Sequence, residues 1–252
     1  MHKFLWRILS FALLVAILLL FGAACGPDIP ADANPVIAAF AKQNNIDYDA
    51  YPKSLITLLE NNPEAEAFVL QYPILSKQPQ EIDLSEYENR DSVPLFLQWD
   101  TRWGYQLYGD DMTAITGCGP VCLSMAAYYL TGDDQYFPDR VITFAEENGY
   151  YSPGNGSSWT LISEGGKQLG FDVKELPLDK GTILHALSKG KPVICVVGPG
   201  DFTTTGHFLV ITGTENGQFK INDPNSIINS EKLWDYEQIK GQIKNLWSIG
   251  KN

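Results

Sequence analysis

The chain has 252 residues, of which 44% are hydrophobic and 19% are charged, as is typical of a globular protein and not of a disordered one. Its formal net charge of −12 disfavours nucleic acid, anionic lipid and anionic wall polymers as binding partners. The length suffices for one large domain, or for one sizeable domain with a smaller segment.

The first 25 residues have the pattern of an export signal. Lys3 and Arg7 precede an apolar stretch, residues 8–21, in which only Ser10 is polar. This stretch is short for a transmembrane helix and fits the apolar region of a signal peptide. We therefore predict that residues 1–25 direct export and that the body of the protein faces outward.

Small residues directly before Cys25 resemble the cleavage site of bacterial lipoproteins. That site usually has leucine three residues before the cysteine, where this chain has Gly22. We predict cleavage before Cys25 and lipidation of its thiol, which would anchor the protein at the outer face of the cell membrane. Secretion without an anchor, or retention by an uncleaved signal, are the alternatives.

Residues 26–91 are predicted to form a tether, three short helices and an acidic connector. Asn34-Pro35, Pro52 and Asn62-Pro63 mark the helix starts, because asparagine caps a helix well and proline fits its first position. The segment contains no chemistry of its own. It could be a spacer or cover a cleft as a propeptide does, but we predict that its apolar residues pack on the following domain: Leu55, Leu58, Phe68 and Val69.

A second domain, residues 92–252, begins where aromatic residues and glycines become frequent. The first of its predicted helices is buried, with Pro120 in the first turn and Gly132 just after the end. Helices are predicted over residues 118–130, about 158–169 and about 180–188.

Strands follow the helices in this domain. The apolar run KPVICVVG has the length of a strand, and two strand-like runs flank Asn216-Gly217, a hairpin signature. Helices followed by strands indicate an α+β domain.

Three cysteines follow Cys25, an odd number that a disulfide framework does not use. Cys118 lies at a predicted helix N-terminus, where unpaired N–H groups and the helix dipole lower the pKa of a thiol. Cys122 and Cys195 lie in apolar runs and are predicted to be inert buried thiols.

Two other uses of these thiols are disfavoured. A disulfide between Cys118 and Cys122 has poor geometry, because both lie on one helical turn. A zinc site made of Cys118, Cys122, Cys195 and His207 lacks the usual ligand spacing in its second half, so we predict no metal.

The chain has three histidines, and one of them could serve as the base for Cys118. One leaves with the signal peptide, and His185 lies in an amphipathic helix. A hairpin loop of residues 214–217 would place His207 opposite Pro224, and a five-residue loop would place it opposite Asp223. Both registers bring His207 and Asp223 to one end of the hairpin, as an imidazole and its orienting carboxylate require. A packed strand-end histidine and a turn aspartate are the structural alternatives.

The order GCGPVCLSM, GKPVICVV, GHFLVITG and INDP resembles the papain-like cysteine peptidases of the bacteriocin-leader-processing, or double-glycine, type. It is more similar to their stand-alone C-terminal-like relatives than to the members fused to exporters, and no phosphate-binding GxxxxGK[ST] motif is present. The resemblance covers residues 92–250. It implies a papain-like α+β fold with the cysteine on a helix and the histidine and aspartate on an antiparallel sheet.

The same resemblance implies roles for individual residues. Cys118 matches the nucleophile, His207 the base and Asp223 the orienting acid. The stretch QWDTRWGYQLYG is also similar, and within it Gln98 matches the glutamine that helps to form the oxyanion hole. In the exporter-fused members that glutamine lies a few residues before the cysteine, whereas here the separation is 20 residues.

The leading hypothesis is an exported cysteine peptidase that hydrolyses a peptide or protein substrate and needs no cofactor. One alternative is a peptidoglycan amidase or endopeptidase with the same thiol chemistry. Another is a non-catalytic peptide-binding module on a peptidase-like fold, which would have no need for an activated thiolate. The oligomeric state is not predicted.

Overall fold

The computed structural model describes residues 26–252, so the predictions for the signal segment and Cys25 lie outside the described residues. The chain divides after Pro52 into two compact units. The described part of the first unit contains helix α1 (Pro35–Asn44) and a 3₁₀ turn (Tyr48–Ala50). The side chain of Asn34 caps α1 by accepting hydrogen bonds from the backbone of Val36 and Ile37, as the sequence predicts.

The second unit begins at Lys53 and holds the remaining elements. Its α-helices are α2 (Lys53–Asn61), α3 (Glu66–Leu75), α4 (Thr113–Thr116), α5 (Cys118–Thr131), α6 (Pro138–Glu147), α7 (Gly166–Gln168), α8 (Lys180–Ser188), α9 (Ile227–Glu231) and α10 (Tyr236–Ile239). Its strands are β1 (Leu107–Tyr108), β2 (Asp111–Met112), β3 (Tyr151–Ser152), β4 (Gly156–Ser157), β5 (Phe171–Glu175), β6 (Val193–Val197), β7 (His207–Glu215), β8 (Gln218–Asn222), β9 (Leu233–Trp234) and β10 (Ile243–Lys251). Within residues 26–252, no helix has the length and apolar character that crossing a bilayer requires.

The predicted helices α5 and α8 are confirmed, and α5 ends at Gly132 in the left-handed conformation with φ of 70°. The helix predicted over 158–169 is irregular: a π-helical turn (Leu161–Gly165) leads into α7. Gly166 packs tightly there, because a Cβ at this position would lie 2.8 Å from Cγ2 of Val173. Helix α6 was not predicted.

A six-stranded antiparallel sheet with the order β5-β10-β6-β7-β8-β9 forms the centre of the unit. Side chains of β6 alternate between two apolar clusters: Ile194 belongs to the cluster around α5, and Cys195 to the cluster that includes Ile183 of α8. Both faces of β6 are covered, which explains why its sequence is continuously apolar. The α+β class and the antiparallel sheet are confirmed, whereas the sequence patterns predict only β6, β7 and β8 among its six strands.

The hairpin of β7 and β8 differs from both predicted registers, which are wrong. Its loop has only two residues, Asn216 and Gly217, with φ of 52° and 82°, and Glu215 pairs with Gln218. Positive φ at both positions is the geometry of the tightest hairpin turn, which the Asn-Gly pair favours. A β-bulge between Ile211 and Gly213 then shifts the register of β7 by one residue.

The four apolar residues predicted to pack are buried: Leu55, Leu58, Phe68 and Val69. The ring of Phe68 stacks on Tyr105 at a centroid distance of 4.3 Å, and the Tyr105 hydroxyl donates a hydrogen bond to the Phe68 carbonyl over 2.7 Å. Helix α3 therefore packs on the domain that follows it, as its apolar face predicts.

Candidate active site

Cys118 is the first residue of α5 and lines a cavity of about 660 Å³. Glycine is required next to it, because a Cβ at Gly119 would lie 2.4 Å from Oγ of Ser157. The first turn of a helix presents unpaired N–H groups and the positive end of the helix dipole. Cys118 is partly exposed to the cavity. A ligand that reaches its sulfur therefore also meets the unpaired N–H groups and the positive end of the dipole.

His207 begins β7 and lines the same cavity. Its Nε2 lies 2.7 Å from Oδ1 of Asp223, and only 8% of His207 and 1% of Asp223 are exposed. The side chains of His207 and Cys118 are close enough to interact, and each shifts the pKa of the other. Since Nε2 faces the carboxylate, Nδ1 is the ring nitrogen left for the thiol. The structure therefore brings the three sequence-predicted residues into one chain of contacts.

The β-bulge explains why Asp223 reaches His207. Both residues lie an even number of positions from the aligned pair Ile211 and Ile221, so strand geometry directs their side chains to the same side. Without the extra residue in β7, His207 would lie an odd number of positions from the residue that pairs with Ile221. Its side chain would then point to the opposite side from that of Asp223, because a one-residue slip reverses side-chain direction.

Two further groups hold the carboxylate of Asp223, and sequence reasoning missed both. The backbone N–H of Asn225 donates to Oδ1 over 2.9 Å, and Nδ2 of Asn229 donates to Oδ2 over 2.9 Å. Asn229 lies on α9, whose first turn is capped by Ser226. The capping pattern could be read from the sequence, but nothing in it showed that Asn229 faces Asp223.

The electrostatics of the pair favour charge separation. Partial burial opposes ionisation of Cys118, but the hydrogen bond and charge of His207, together with backbone N–H groups of Phe208 and Gly119, hold the pKa of the thiol below its ordinary 9.0. Burial opposes protonation of His207, but the charge and hydrogen bond of Asp223 and the contact with Cys118 raise the pKa of the imidazole above its ordinary 6.5. Both shifts favour a thiolate–imidazolium pair.

The other two thiols have the opposite character. Burial raises the pKa of Cys122 well above its ordinary value and that of Cys195 to about 12. Both are fully enclosed in apolar surroundings, and all three cysteines of residues 26–252 are free. In the same part of the chain, no group of three or more His, Cys, Asp and Glu side chains is arranged to hold a metal ion.

Gln98 lines the cavity with Cys118 and is 5% exposed. Its backbone N–H donates to the Pro224 carbonyl and its Nε2 to the Ala114 carbonyl, each over 2.7 Å. Nε2 has a second hydrogen for another acceptor, whereas Oε1 has no partner among the described residues. The loop that carries Gln98 thus places it at the site although it lies 20 residues before Cys118.

A second cavity of about 490 Å³ adjoins the first and shares Gln98, Ile115 and Asn225 with it. Thr57 and Leu58 of α2 line its other wall. The cleft therefore continues past the triad residues, with α2 as one of its walls.

Comparisons with known proteins show which family the chain belongs to. Residues 90–252 match the sequence model of the Peptidase_C39 like family. The peptidase domain of Streptococcus ComA, a bi-functional ABC transporter involved in a quorum-sensing pathway, is 21% identical with a TM-score of 0.42, covering 54% of this chain and 93% of that domain. A C39-like peptidase from Bacillus anthracis is 15% identical with a TM-score of 0.43, covering 64% of this chain and 95% of that one. No curated protein matches the chain. Because the family model spans well over half of the sequence, the chain belongs to the Peptidase_C39 like family and carries a cysteine peptidase-like domain with a papain-like fold.

Proposed function

We propose that the protein is an exported cysteine peptidase that hydrolyses peptide bonds through Cys118, His207 and Asp223. The observation that carries the proposal is the buried contact between His207 and Asp223, 2.7 Å long, beside a thiol at the edge of a cavity. A structural histidine would not need a carboxylate on one nitrogen and a partly exposed thiol on the other. A binding module would have no use for a thiol with a lowered pKa.

In the proposed reaction, the Cys118 thiolate attacks the carbonyl carbon of the scissile peptide bond. The His207 imidazolium transfers its Nδ1 proton to the leaving amine, which departs and leaves a thioester on Cys118. The neutral imidazole then removes a proton from water, and the resulting hydroxide displaces the thiolate to release the carboxylic acid. Asp223 keeps the ring oriented and stabilises its charged form.

The negative charge that develops on the carbonyl oxygen needs donors at the start of α5. The backbone N–H of Cys118 and the second Nε2 hydrogen of Gln98 are the proposed donors, and both residues line the cavity. Gln98 is fixed by its two hydrogen bonds to Pro224 and Ala114.

The pKa shifts predict how the reaction depends on pH. The pair of Cys118 thiolate and His207 imidazolium exists at pH values above the lowered pKa of Cys118 and below the raised pKa of His207. We therefore expect hydrolysis to fall on the acid side as the thiolate gains a proton, and on the alkaline side as the imidazolium loses one. Alkylation by iodoacetamide needs only the thiolate, so its rate at Cys118 should rise well below pH 9.0 and then stay high.

Peptide mapping after alkylation measures the reaction rates of Cys118, Cys122 and Cys195 in one sample. Cys122 and Cys195 are the internal controls, and both should react far more slowly than Cys118 at neutral pH. Equal rates at Cys118 and Cys122, or a Cys118 rate that follows the ordinary pKa of 9.0, would contradict the peptidase and favour the binding module. Irreversible labelling of Cys118 with an epoxide or vinyl sulfone peptide is the corresponding activity probe.

For its location, we propose that the protein is anchored at the outer face of the membrane by a lipid on Cys25. The proposal is supported by the short apolar run of residues 8–21 and the small residues 22–24. Mass spectrometry of the N-terminal peptide from the membrane fraction should show a diacylglyceryl-modified Cys25. An intact Met1 terminus, or an unmodified terminus in the medium, would contradict it.

A further inference from the structure

We propose that the accessory segment, residues 53–75, is part of the catalytic apparatus because its Asn62 and Glu64 position Asp223. The segment precedes residues 90–252, which match the family model. The inference rests on the proposed function of Cys118, His207 and Asp223, and adds two positioning residues that act through Asp223.

The first contact is made by the carboxylate of Glu64. Its Oε1 accepts a hydrogen bond from Oγ of Ser226 over 2.6 Å. Its Oε2 accepts from the backbone N–H groups of Ile227 and Ile228 over 2.8 and 3.1 Å. These N–H groups open α9 and have no partner within the helix, so a carboxylate there is favourable both as an acceptor and as a charge.

Helix α9 carries one of the donors of Asp223. Asn229, directly after the residues that Glu64 holds, donates from Nδ2 to Oδ2 of Asp223 over 2.9 Å. The backbone N–H of Asp223 in turn donates to Oγ of Ser230 over 2.9 Å. A five-residue helix has little stability of its own, so its placement depends on contacts such as those of Glu64.

The second contact is made by Asn62. Its Nδ2 donates to the carbonyl of Asn225 over 2.6 Å, and Asn62 is only 8% exposed. The backbone N–H of Asn225 donates to Oδ1 of Asp223, the same oxygen that faces His207. Oδ1 of Asn62 accepts from the Glu64 backbone over 3.1 Å, so the two residues of the accessory segment are held together.

Asp223 thus has three side-chain hydrogen bonds: one to His207, one from Asn225 and one from Asn229. The last two come from groups that Asn62 and Glu64 hold in place. Small displacements matter here, because misplacing a catalytic group by about 1 Å costs on the order of 100-fold in rate. Losing either anchor should therefore weaken the hold of Asp223 on His207.

The test uses the full-length protein with Glu64→Ala and Asn62→Ala, and Glu60→Ala as the matched control. Glu60 is exposed on α2 of the same segment, and its carboxylate makes no hydrogen bond within the described residues. The readouts are the iodoacetamide reaction rate of Cys118 at pH 6 and the alkaline limb of peptide hydrolysis. If His207 loses the support of Asp223, its pKa falls, the thiolate fraction at pH 6 falls and the alkaline limb moves to lower pH.

We expect both variants to alkylate about tenfold more slowly at pH 6, with the alkaline limb shifted to lower pH and the Glu60→Ala protein unchanged. In an Asp223→Asn background, Glu64→Ala should cause no further loss, because its effect passes through that carboxylate. A general structural role would lower the melting temperature without moving the alkaline limb. Glu64→Gln keeps one acceptor for Ser226 and should show a smaller loss of the alkylation rate at pH 6. It replaces Glu64→Ala in the test if that variant does not fold.

The outcomes separate this inference from the proposed function. If wild-type Cys118 shows the low-pH reaction but folded Asn62 and Glu64 variants match the wild type, the positioning role is overturned and the peptidase stands. An additive loss in the Asp223→Asn background overturns it as well. If wild-type Cys118 reacts as an ordinary thiol, the proposed function itself fails.

Discussion

Replacing Cys118 with alanine is expected to lower peptide hydrolysis by about 10⁴-fold or more while leaving the fold intact. The thiolate forms the covalent bond of the proposed reaction, and neither Cys122 nor Cys195 can replace it, because burial raises the pKa values of both thiols. The side chain is small and partly exposed, so its removal leaves little buried volume unfilled. Turnover of a peptide substrate and the melting temperature together check this expectation.

Cys122→Ala is the matched control for that experiment. Cys122 lies one helical turn away on α5 and is completely buried. Its loss should cost about 1 kcal/mol of the free energy of unfolding and leave most of the activity in place. If the Cys122 variant loses turnover and the Cys118 variant keeps it, the assignment of the nucleophile is wrong.

Replacing His207 with alanine is expected to reduce hydrolysis nearly as much as removing the thiol. In the proposed reaction, the imidazolium both stabilises the Cys118 thiolate and donates the proton that the leaving amine requires. In this variant the low-pH alkylation of Cys118 should disappear, because His207 is the main group that lowers the pKa of the thiol.

The double variant Cys118→Ala/His207→Ala decides whether the two side chains act as one unit. Residues of one catalytic unit are strongly non-additive, so the double variant should be no slower than Cys118→Ala alone. His185→Ala is the control for a general loss of imidazole, since His185 lies on α8, away from the cavity. Unchanged alkylation in His207→Ala would show that His207 is a packed strand-end residue.

The contacts of Asn62 and Glu64 bear on how the domain should be defined. The family model begins at residue 90, yet the loop that follows β8 is held from residues 62 and 64. The structural unit likewise begins at Lys53. A protein shortened to the family domain would keep Cys118 and His207 but lose both anchors of the Asp223 loop.

Several features could be predicted from the sequence because their signals are local. The apolar run from Cys118 predicts a buried helix whose first residue is the cysteine, and Gly132 marks its end. Continuous apolar residues predict β6, and Asn216-Gly217 predicts the hairpin. Each of these depends on residues within a few positions of one another, where helix capping, turn geometry and apolar periodicity act directly.

Helix α6 has an amphipathic pattern of its own, whereas strands β5 and β10 depend on partners distant in the chain. β10 joins β5 and β6, from which it is separated by dozens of residues. Such pairing is a property of the assembled sheet and not of any short stretch.

The geometry of the candidate site was decided largely by the tertiary structure. The sequence by itself determined that Cys118 lies at a helix start and that His207 and Asp223 lie near one end of a hairpin. The β-bulge after Ile211 decided that the two side chains point to the same side, because one extra residue reverses their relative direction. Folding alone then brought Glu64 of the accessory segment to α9, since a hydrogen bond between residues 162 to 164 positions apart leaves no local pattern in either stretch.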